Sequence, residues 1–399
     1  MTATIILRNV RPLGGVPTDL VIRDGRFAPP DPERDGAIES IDGQGLLAIP
    51  GLVEAHTHLD KNLIGMPWYR NEIGPRRIDR IEADRREKQR LGIDPRRQSA
   101  RQVMQTLGLG TTVIRSHVDV DTEIGTANVA GVLATREAMR ESVDIQIVAF
   151  PQSGMLIRPG TVALMEEALR MGADIVGGID PAGIDRDPRA HLDTIFGLAE
   201  RFGKPIDIHL HEPGELGAFC LELIIERTRA LGMEGRVLVS HAYCLGTIEP
   251  AAHDALAAAL ADSRIGVMTA GPPGRPAPAV KRLTEAGVTI CGGSDGPRGT
   301  WEPYGTGDML MRAMMIGQRN GFTRDDDLAL ALETCTTFGA RALGLDRYGL
   351  APGCDADLVL VDAETVAEAV AAPPVRRLVM KRGRIVARDG IALQTVPAA

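Results

Sequence analysis

The chain is poor in aromatic residues. Phe, Tyr and Trp make up only 3% of its 399 positions, so a core has to be assembled mainly from Ala, Val, Leu and Ile. It has no apolar run approaching the roughly 18 residues that a membrane-spanning helix needs. The five cysteines, Cys220, Cys244, Cys291, Cys335 and Cys354, are scattered and contain no C-x-x-C pair. That spacing argues against a disulfide framework and against a cysteine-based zinc site. There is no excess of positive charge either. The formal net charge of -8 provides no electrostatic attraction for nucleic acid. Basic stretches such as Pro75–Arg86 are interspersed with acidic residues and read as a solvated helix face. Met1 to Val10 carries Arg8 inside its apolar run and lacks a signal-peptide pattern, so the expected compartment is the cytoplasm.

What remains is an ordinary globular composition, 44% hydrophobic and 25% charged, on a chain long enough for one large barrel with a smaller attachment. Both ends read as short strands between Gly, Pro and Asp turn signals. These are Ala3–Leu7, Asp19–Ile22, Ile38–Asp42 and Leu46–Ala48 at the start, then Ala356–Val361, Val375–Lys381 and Ile385–Arg388 at the end. The middle alternates short apolar runs with helical patterns such as Thr161–Met171, His191–Phe202, Gly217–Leu231 and Pro278–Ala286. The runs are Val53–His58, Thr112–Val118, Ile145–Phe150, Ile175–Ile179, Ile206–Glu212, Val237–Ala242, Ile265–Ala270 and Thr289–Asp295. Strand–helix alternation of this size predicts an α/β fold, a (β/α)8 TIM barrel over residues 51–349. Residues 1–50 and 350–399 are expected to form one small β-sandwich domain from both termini. An open doubly wound sheet is the rival, weakened because no G-x-G-x-x-G follows an early strand.

Of the eight histidines, six lie at the ends of these runs: His56, His58, His117, His209, His211 and His241. A barrel gathers the C-terminal ends of its strands on one rim, so residues distant in sequence converge there. His56 and His58, two apart on a strand, point to the same side. With His209 and Asp295 from other strands they offer the N/O donors that suit Zn2+ or Fe2+; the alternative is a set of hydrogen-bonded core histidines. Glu212, just past the strand that carries His209, is placed to move a proton between water and a leaving group, or else is a loop glutamate. His241 is either a further ligand or a group beside the attacked atom. His117 and Asp119 are candidates for substrate contact or loop support. His211 is read as turned to the face opposite His209, in a supporting role. His191 and His253 fall in helical patterns and read as structural.

Several motifs now carry a resemblance: Pro50-Gly51-Leu52-Val53-Glu54-Ala55-His56-Thr57-His58-Leu59-Asp60-Lys61, Val148-Ala149-Phe150-Pro151-Gln152, Ile208-His209-Leu210-His211-Glu212, Ser240-His241 and Gly293-Ser294-Asp295. The stretch Leu350–Val359 resembles the return to a small β-domain. Together they resemble the amidohydrolase superfamily, in its cytosine-deaminase-like branch, over essentially the full length. The resemblance implies one divalent metal ion, Zn2+ or Fe2+, held by His56, His58, His209 and Asp295. It implies that Glu212 and His241 handle protons, that Asp295 also acts as base, and that Gln152 hydrogen-bonds the amide-like edge of a substrate ring. Two-metal members need a lysine on a middle strand; the five lysines here, Lys61, Lys88, Lys204, Lys281 and Lys381, include none there.

The implied reaction is hydrolytic deamination of an aminated N-heterocycle, pyrimidine-, triazine- or pterin-like, with Trp301 covering the ring. Three departures shift the substrate away from cytosine, one being that Glu212-Pro213-Gly214-Glu215 differs from the usual cytosine deaminase loop. Gly296 stands where cytosine deaminases tend to carry a second aspartate. The stretch 59–71, with Lys61, is closer to the triazine-amine hydrolases related to isopropylammelide hydrolase. Hydrolysis of a ring or acyl amide is the second reading, and a non-catalytic binding barrel the third. A small-molecule N-heterocyclic substrate and a homo-oligomer are expected; nucleic acid and membrane are not.

Overall fold

The computed structural model describes residues 4–31 and 38–394. Eight parallel strands run in sequence order from first to last: β1 (Leu52–Thr57), β2 (Thr111–Asp119), β3 (Asp144–Phe150), β4 (Ile175–Ile179), β5 (Ile206–His209), β6 (Val237–Ser240), β7 (Gly266–Thr269) and β8 (Ile290–Gly292). Nearly every residue in them is buried, as expected for strands covered by helices outside and side chains within. The eighth strand returns to the first. Asp295 donates its N–H to the His56 carbonyl at 2.9 Å, and Thr57 Oγ1 donates to the Asp295 carbonyl at 2.7 Å. A Cβ at Gly293 would lie 2.5 Å from the His56 Cβ, so only glycine lets the two strands approach here.

The helices Thr161–Met171, Pro188–Phe202, Gly214–Ala230 and Val280–Glu285 lie where the helical patterns predict, within a few residues at each end. Strand ends differ more. The runs ending at Glu212, Ala242 and Asp295 stop as strands at His209, Ser240 and Gly292. His241, Ala242 and Asp295 take positive φ values of 73°, 43° and 62°, which no strand accommodates.

The termini form one nine-stranded sheet. Its long first strand, Thr4–Pro12, runs antiparallel to Thr18–Arg23 and pairs with Ile38–Asp42 along its first half and Leu47–Pro50 at its end. Asn9, at φ 50°, lies between the two pairings. Leu47–Pro50 in turn lies antiparallel to Leu358–Val361, and this ladder joins the two ends of the chain. Leu7, Val10, Ile22, Phe27, Leu358, Leu378 and Met380 fill the core of this sheet. Among the described residues, no helix is long and apolar enough to cross a membrane.

The basic stretch after β1 departs from expectation. It forms helix α1 (Arg77–Arg90), and its charged residues are not all solvated: Asp84, Glu87 and Lys88 are buried. Arg77 pairs with Asp180 and Arg85 with Glu123, both beyond the helix itself. Alternating charge marks a wet surface only when nothing of opposite sign waits across from it.

The small sheet is bolted to the barrel through Lys381, 1% exposed at its side chain, which donates to Asp357 Oδ2 at 2.6 Å and to Asp144 Oδ2 at 2.7 Å. Lys381→Ala strands the Asp357 carboxylate in a buried place. The expected cost is about 3–5 kcal/mol, read as a lower urea midpoint. An unchanged midpoint would show that this ion pair does not couple sheet to barrel.

Candidate metal centre and its rim

Residues from six barrel strands meet at one rim. His56 and His58 sit at the end of β1, His117 and Asp119 at the end of β2, and His209 at the end of β5. His241 follows β6 directly, Asp295 lies three residues past the end of β8, and Gln152 two past the end of β3. The His56 ring centroid lies 4.0 Å from His117, 4.5 Å from His209, 5.0 Å from His241 and 5.5 Å from His58. His58 Nε2 is 3.4 Å and His56 Nε2 3.7 Å from Asp295 Oδ1. One ligand atom from each of His56, His58 and His209 falls within 4.8 Å of the others, and the same holds for His56, His241 and Asp295.

Four of these imidazoles are poor cations. Burial lowers the pKa of His56, His117, His209 and His241 well below the usual histidine value, and the crowd of neighbouring rings adds to it. Neutral rings expose lone pairs. The Ser240 hydroxyl donates to Asp207 Oδ1 at 2.7 Å, so its oxygen accepts from His56 Nδ1 at 2.9 Å. That fixes the tautomer: His56 carries its proton on Nδ1 and presents a bare Nε2. Burial pushes Asp207 up to about 6, against the pull of Arg115, so it is an anion at neutral pH and keeps accepting. His56 Nε2, His58 Nδ1, His209 Nδ1 and both nitrogens of His241 are buried without a hydrogen-bond partner. Of these, His56 Nε2 lies beside the Asp295 carboxylate; a buried nitrogen left bare there is costly unless an ion satisfies it, and the surrounding imidazoles and carboxylate fit a divalent metal.

The proton-handling candidates flank this cluster. Glu212 Oε1 accepts from the backbone N–H groups of Ala182 at 2.9 Å and Gly183 at 2.5 Å, while Oε2 has no partner. Burial, with the Asp180 carboxylate nearby, raises its pKa to about 7. It can therefore hold or release a proton near neutrality. Asp180, which ends β4, was not among the rim residues read from sequence. Its Oδ1 accepts from the His211 backbone N–H at 2.7 Å, while Oδ2 lies 3.0 Å from His211 Nδ1 and also pairs with Arg77. The His211 ring stacks on His241 with centroids 4.2 Å apart. One expectation is reversed here. His211 lies on the same side as His209, their rings 5.5 Å apart, because residues two apart on an extended chain share a face.

His117 is fully buried, with Nε2 3.6 Å from Asp207 Oδ2. Lys61 Nζ donates to Asp119 at 3.0 Å and to Gln152 Oε1 at 2.5 Å. Trp301 packs beside Ile81, Phe150, Ile179 and Ile184, 5.9 Å from Lys61 Nζ, and its Nε1 is buried without a partner. Of the histidines read as structural, His191 binds Asp185 at 2.6 Å behind the rim. His253 meets only its neighbour Asp254, at 3.3 Å. Asp180 and Asp207 are additions of the structure, which also gives roles to Ser240 and Glu54, present in the sequence motifs without one. Glu54 accepts from the backbone N–H groups of Ser294 at 2.8 Å and His56 at 3.2 Å, and so ties β1 to the loop that carries Asp295. Only their positions near strand ends could have signalled them.

A closed (β/α)8 barrel with a rim of histidines and an aspartate defines a metal-dependent hydrolase. The chain belongs to the amidohydrolase family, whose profile matches residues 39–387. It is 32% identical over 358 residues to N-isopropylammelide isopropyl amidohydrolase of Pseudomonas sp. (strain ADP), covering 88% of this chain and 89% of that one. The crystal structure of N-isopropylammelide isopropylaminohydrolase from Burkholderia multivorans superimposes with a TM-score of 0.95 at 50% identity, over 98% of this chain and 100% of that one. The 5-methylcytosine deaminase of Klebsiella pneumoniae, liganded with 5-fluorocytosine, gives 0.84 at 29% identity over 99% and 100%. The chain falls in the branch that these enzymes share.

Ser240→Ala frees both His56 Nδ1 and Asp207. The expected result is a divalent-metal affinity weaker by about 10–100-fold, measured by competition with a chelator, with the fold retained. Equal affinity would mean that Ser240 does not orient His56.

Proposed function

We propose that this protein hydrolyses an exocyclic C–N bond of an aminated N-heterocycle, releasing ammonia or a small amine, with an alkylaminotriazine favoured over cytosine. The observation that carries the reading is the convergence, on one barrel rim, of His56, His58 and His209, with Asp295 against His56 and His58, and of a carboxyl, Glu212, poised near pKa 7. The reading assigns those four residues to hold one divalent cation, Zn2+ or Fe2+. Bound there, such an ion supplies the Lewis acidity that makes water nucleophilic near neutral pH. Asp295 accepts the proton that the attacking water loses. Glu212, anchored through Oε1, delivers a proton from Oε2 to the ring nitrogen next to the attacked carbon; as the exocyclic C–N bond breaks, Asp295 passes its proton to the departing amine and the hydroxyl proton at that carbon returns to Glu212, leaving a ring oxo group beside a ring N–H. His241, seated on the stacked His211–Asp180 pair, hydrogen-bonds at the attacked centre.

Gln152 and Lys61 supply orientation. Because Gln152 Oε1 accepts from Lys61, its NH2 group is left to donate, and Lys61 itself has no acceptor. The ring edge that meets them therefore carries an oxo group or a ring nitrogen lone pair. Trp301 and Phe150 border the same region and suit the ring face. Asp119 acts through Lys61, and His117 supports the histidine cluster from the Asp207 side. The relatives named for N-isopropylammelide support the triazine preference, as does Gly296 in the loop after Asp295. The five free cysteines, four of them buried, fit a reducing compartment such as the cytoplasm. Exposed Leu216 and Phe219 on one helix fit assembly into a homo-oligomer.

Two measurements test the reading. Wild-type protein loaded with Zn2+ or Fe2+ is expected to release isopropylamine from N-isopropylammelide faster than it releases ammonia from cytosine. Silence on aminotriazines, aminopyrimidines and pterins, with cleavage of a cyclic or acyl amide instead, would transfer the protein to the amide-hydrolysing reading. Glu212→Gln is expected to keep its metal by elemental analysis while turnover falls by roughly 100-fold or more. Loss of metal in that variant would place Glu212 among the ligands.

A further inference from the structure

Behind Gln152 lies a cluster of buried charge that the proposed reaction does not use. Lys61 comes from the loop after β1, Asp119 from the end of β2, and Asp84 and Lys88 from α1, one helical turn apart. Lys61 is 11% exposed at its side chain, Lys88 6%, Asp84 1% and Asp119 not at all. Lys61 Nζ lies 3.0 and 3.1 Å from the two Asp119 oxygens and 3.6 Å from Asp84 Oδ2. Lys88 binds Asp119 Oδ2 and stands 3.4 Å from Asp84 Oδ2 and 3.7 Å from Asp121 Oδ2. Each ammonium thus takes a share of the same carboxylates.

The sharing has a geometric consequence. Burial opposes charge on both lysines, yet Asp119 and Asp84 outweigh it and hold both pKa values above the usual lysine value, so both are cations. With Lys88 neutralising the far side of Asp119 and Asp84, Lys61 is free to keep Nζ on Gln152 at 2.5 Å. Without Lys88, those carboxylates would be buried with one ammonium between them. Lys61 would then be drawn toward them and away from Gln152, since an unpaired buried charge costs more than a lost bond to a neutral amide.

We propose that Lys88 is a positioning residue for substrate recognition: by sharing Asp119 and Asp84 with Lys61, it holds Lys61 against Gln152 and so sets the donor edge that meets the ring. Helix α1 is then part of the specificity apparatus and not only a cover for the barrel mouth. This rests on the reading of Gln152 and Lys61 as the substrate-facing edge.

The test compares wild type, Lys88→Met, Lys88→Arg, Lys61→Met and the Lys61→Met/Lys88→Met double variant, all metal-loaded. Crystal structures of wild type and Lys88→Met report on positioning without any ligand. The expected result is that metal content is unchanged and Lys61 Nζ moves out of hydrogen-bond reach of Gln152. If Lys88→Met does not fold, Lys88→Gln removes the same charge and carries the same expectation. Calorimetry with cyanuric acid, a ring with three oxo groups and no amine to lose, reads the donor edge directly. Its Kd is expected to rise by roughly tenfold or more in Lys88→Met and to recover in Lys88→Arg. The double variant should bind no more weakly than Lys61→Met alone, because Lys88 acts through Lys61. Lys61 remaining on Gln152 in the variant crystal, or losses that multiply in the double variant, would overturn the proposal. Absence of cyanuric acid binding by the wild type would instead count against the oxo-ring reading, and the crystallographic comparison would still decide the role of Lys88.

Discussion

The hydrogen bond from the Asp295 N–H to the His56 carbonyl is the contact on which the rest depends. It closes the barrel, and the same two residues bring their side chains to the rim. The closure needs glycine at 293 for the approach and a left-handed backbone at Asp295. Asp180 and His241 share that positive-φ conformation at the ends of their own strands. A non-glycine residue held there carries strain of order 1–3 kcal/mol. Each turn aims a rim side chain that a straight continuation of the strand would send elsewhere.

Charge at the rim is sorted by burial. His56, His117, His209 and His241 are too enclosed to be cations, and they crowd together beside Asp295. Around them the ionised groups are matched and kept one step away: Asp207 with Arg115, Asp180 with Arg77, Asp119 with Lys61 and Lys88. Each pair also grips a residue of the site. Asp207 sets His56 through Ser240, Asp180 sets His211 beneath His241, and Lys61 sets Gln152. The precision of the rim therefore comes from salt bridges that never touch the reacting atoms.

Much of this was legible beforehand. Parallel strands with helices between them follow from the repeated apolar runs, and the concentration of histidine at their ends marks the rim. His56 and His58 face one way because a strand has a period of two; the same rule, misapplied, turned His211 away. Asp180 was passed over because its strand, Ile175–Ile179, has no histidine to draw notice. The stretch 75–86 read as wet because its charges alternate, and nothing local shows that Asp119, Asp121, Asp180 and Glu123 lie opposite. The domain limits at residues 50 and 350 fall near the ladder of Leu47–Pro50 with Leu358–Val361, a pairing that the separate strands could not disclose.

The sequence by itself determined the barrel and the chemical kind of the rim, since these depend on periodicity and on which side chains end each strand, and its motifs carried the resemblance to the family. Only the tertiary structure decided which nitrogen of His56 is bare, which oxygen of Glu212 is anchored, and why Gln152 must donate. Those properties belong to contacts between residues from 29 to 184 positions apart. They arise when folding gathers the ends of β1, β3, β4, β5 and β6 on one rim, and no local pattern in the chain encodes them.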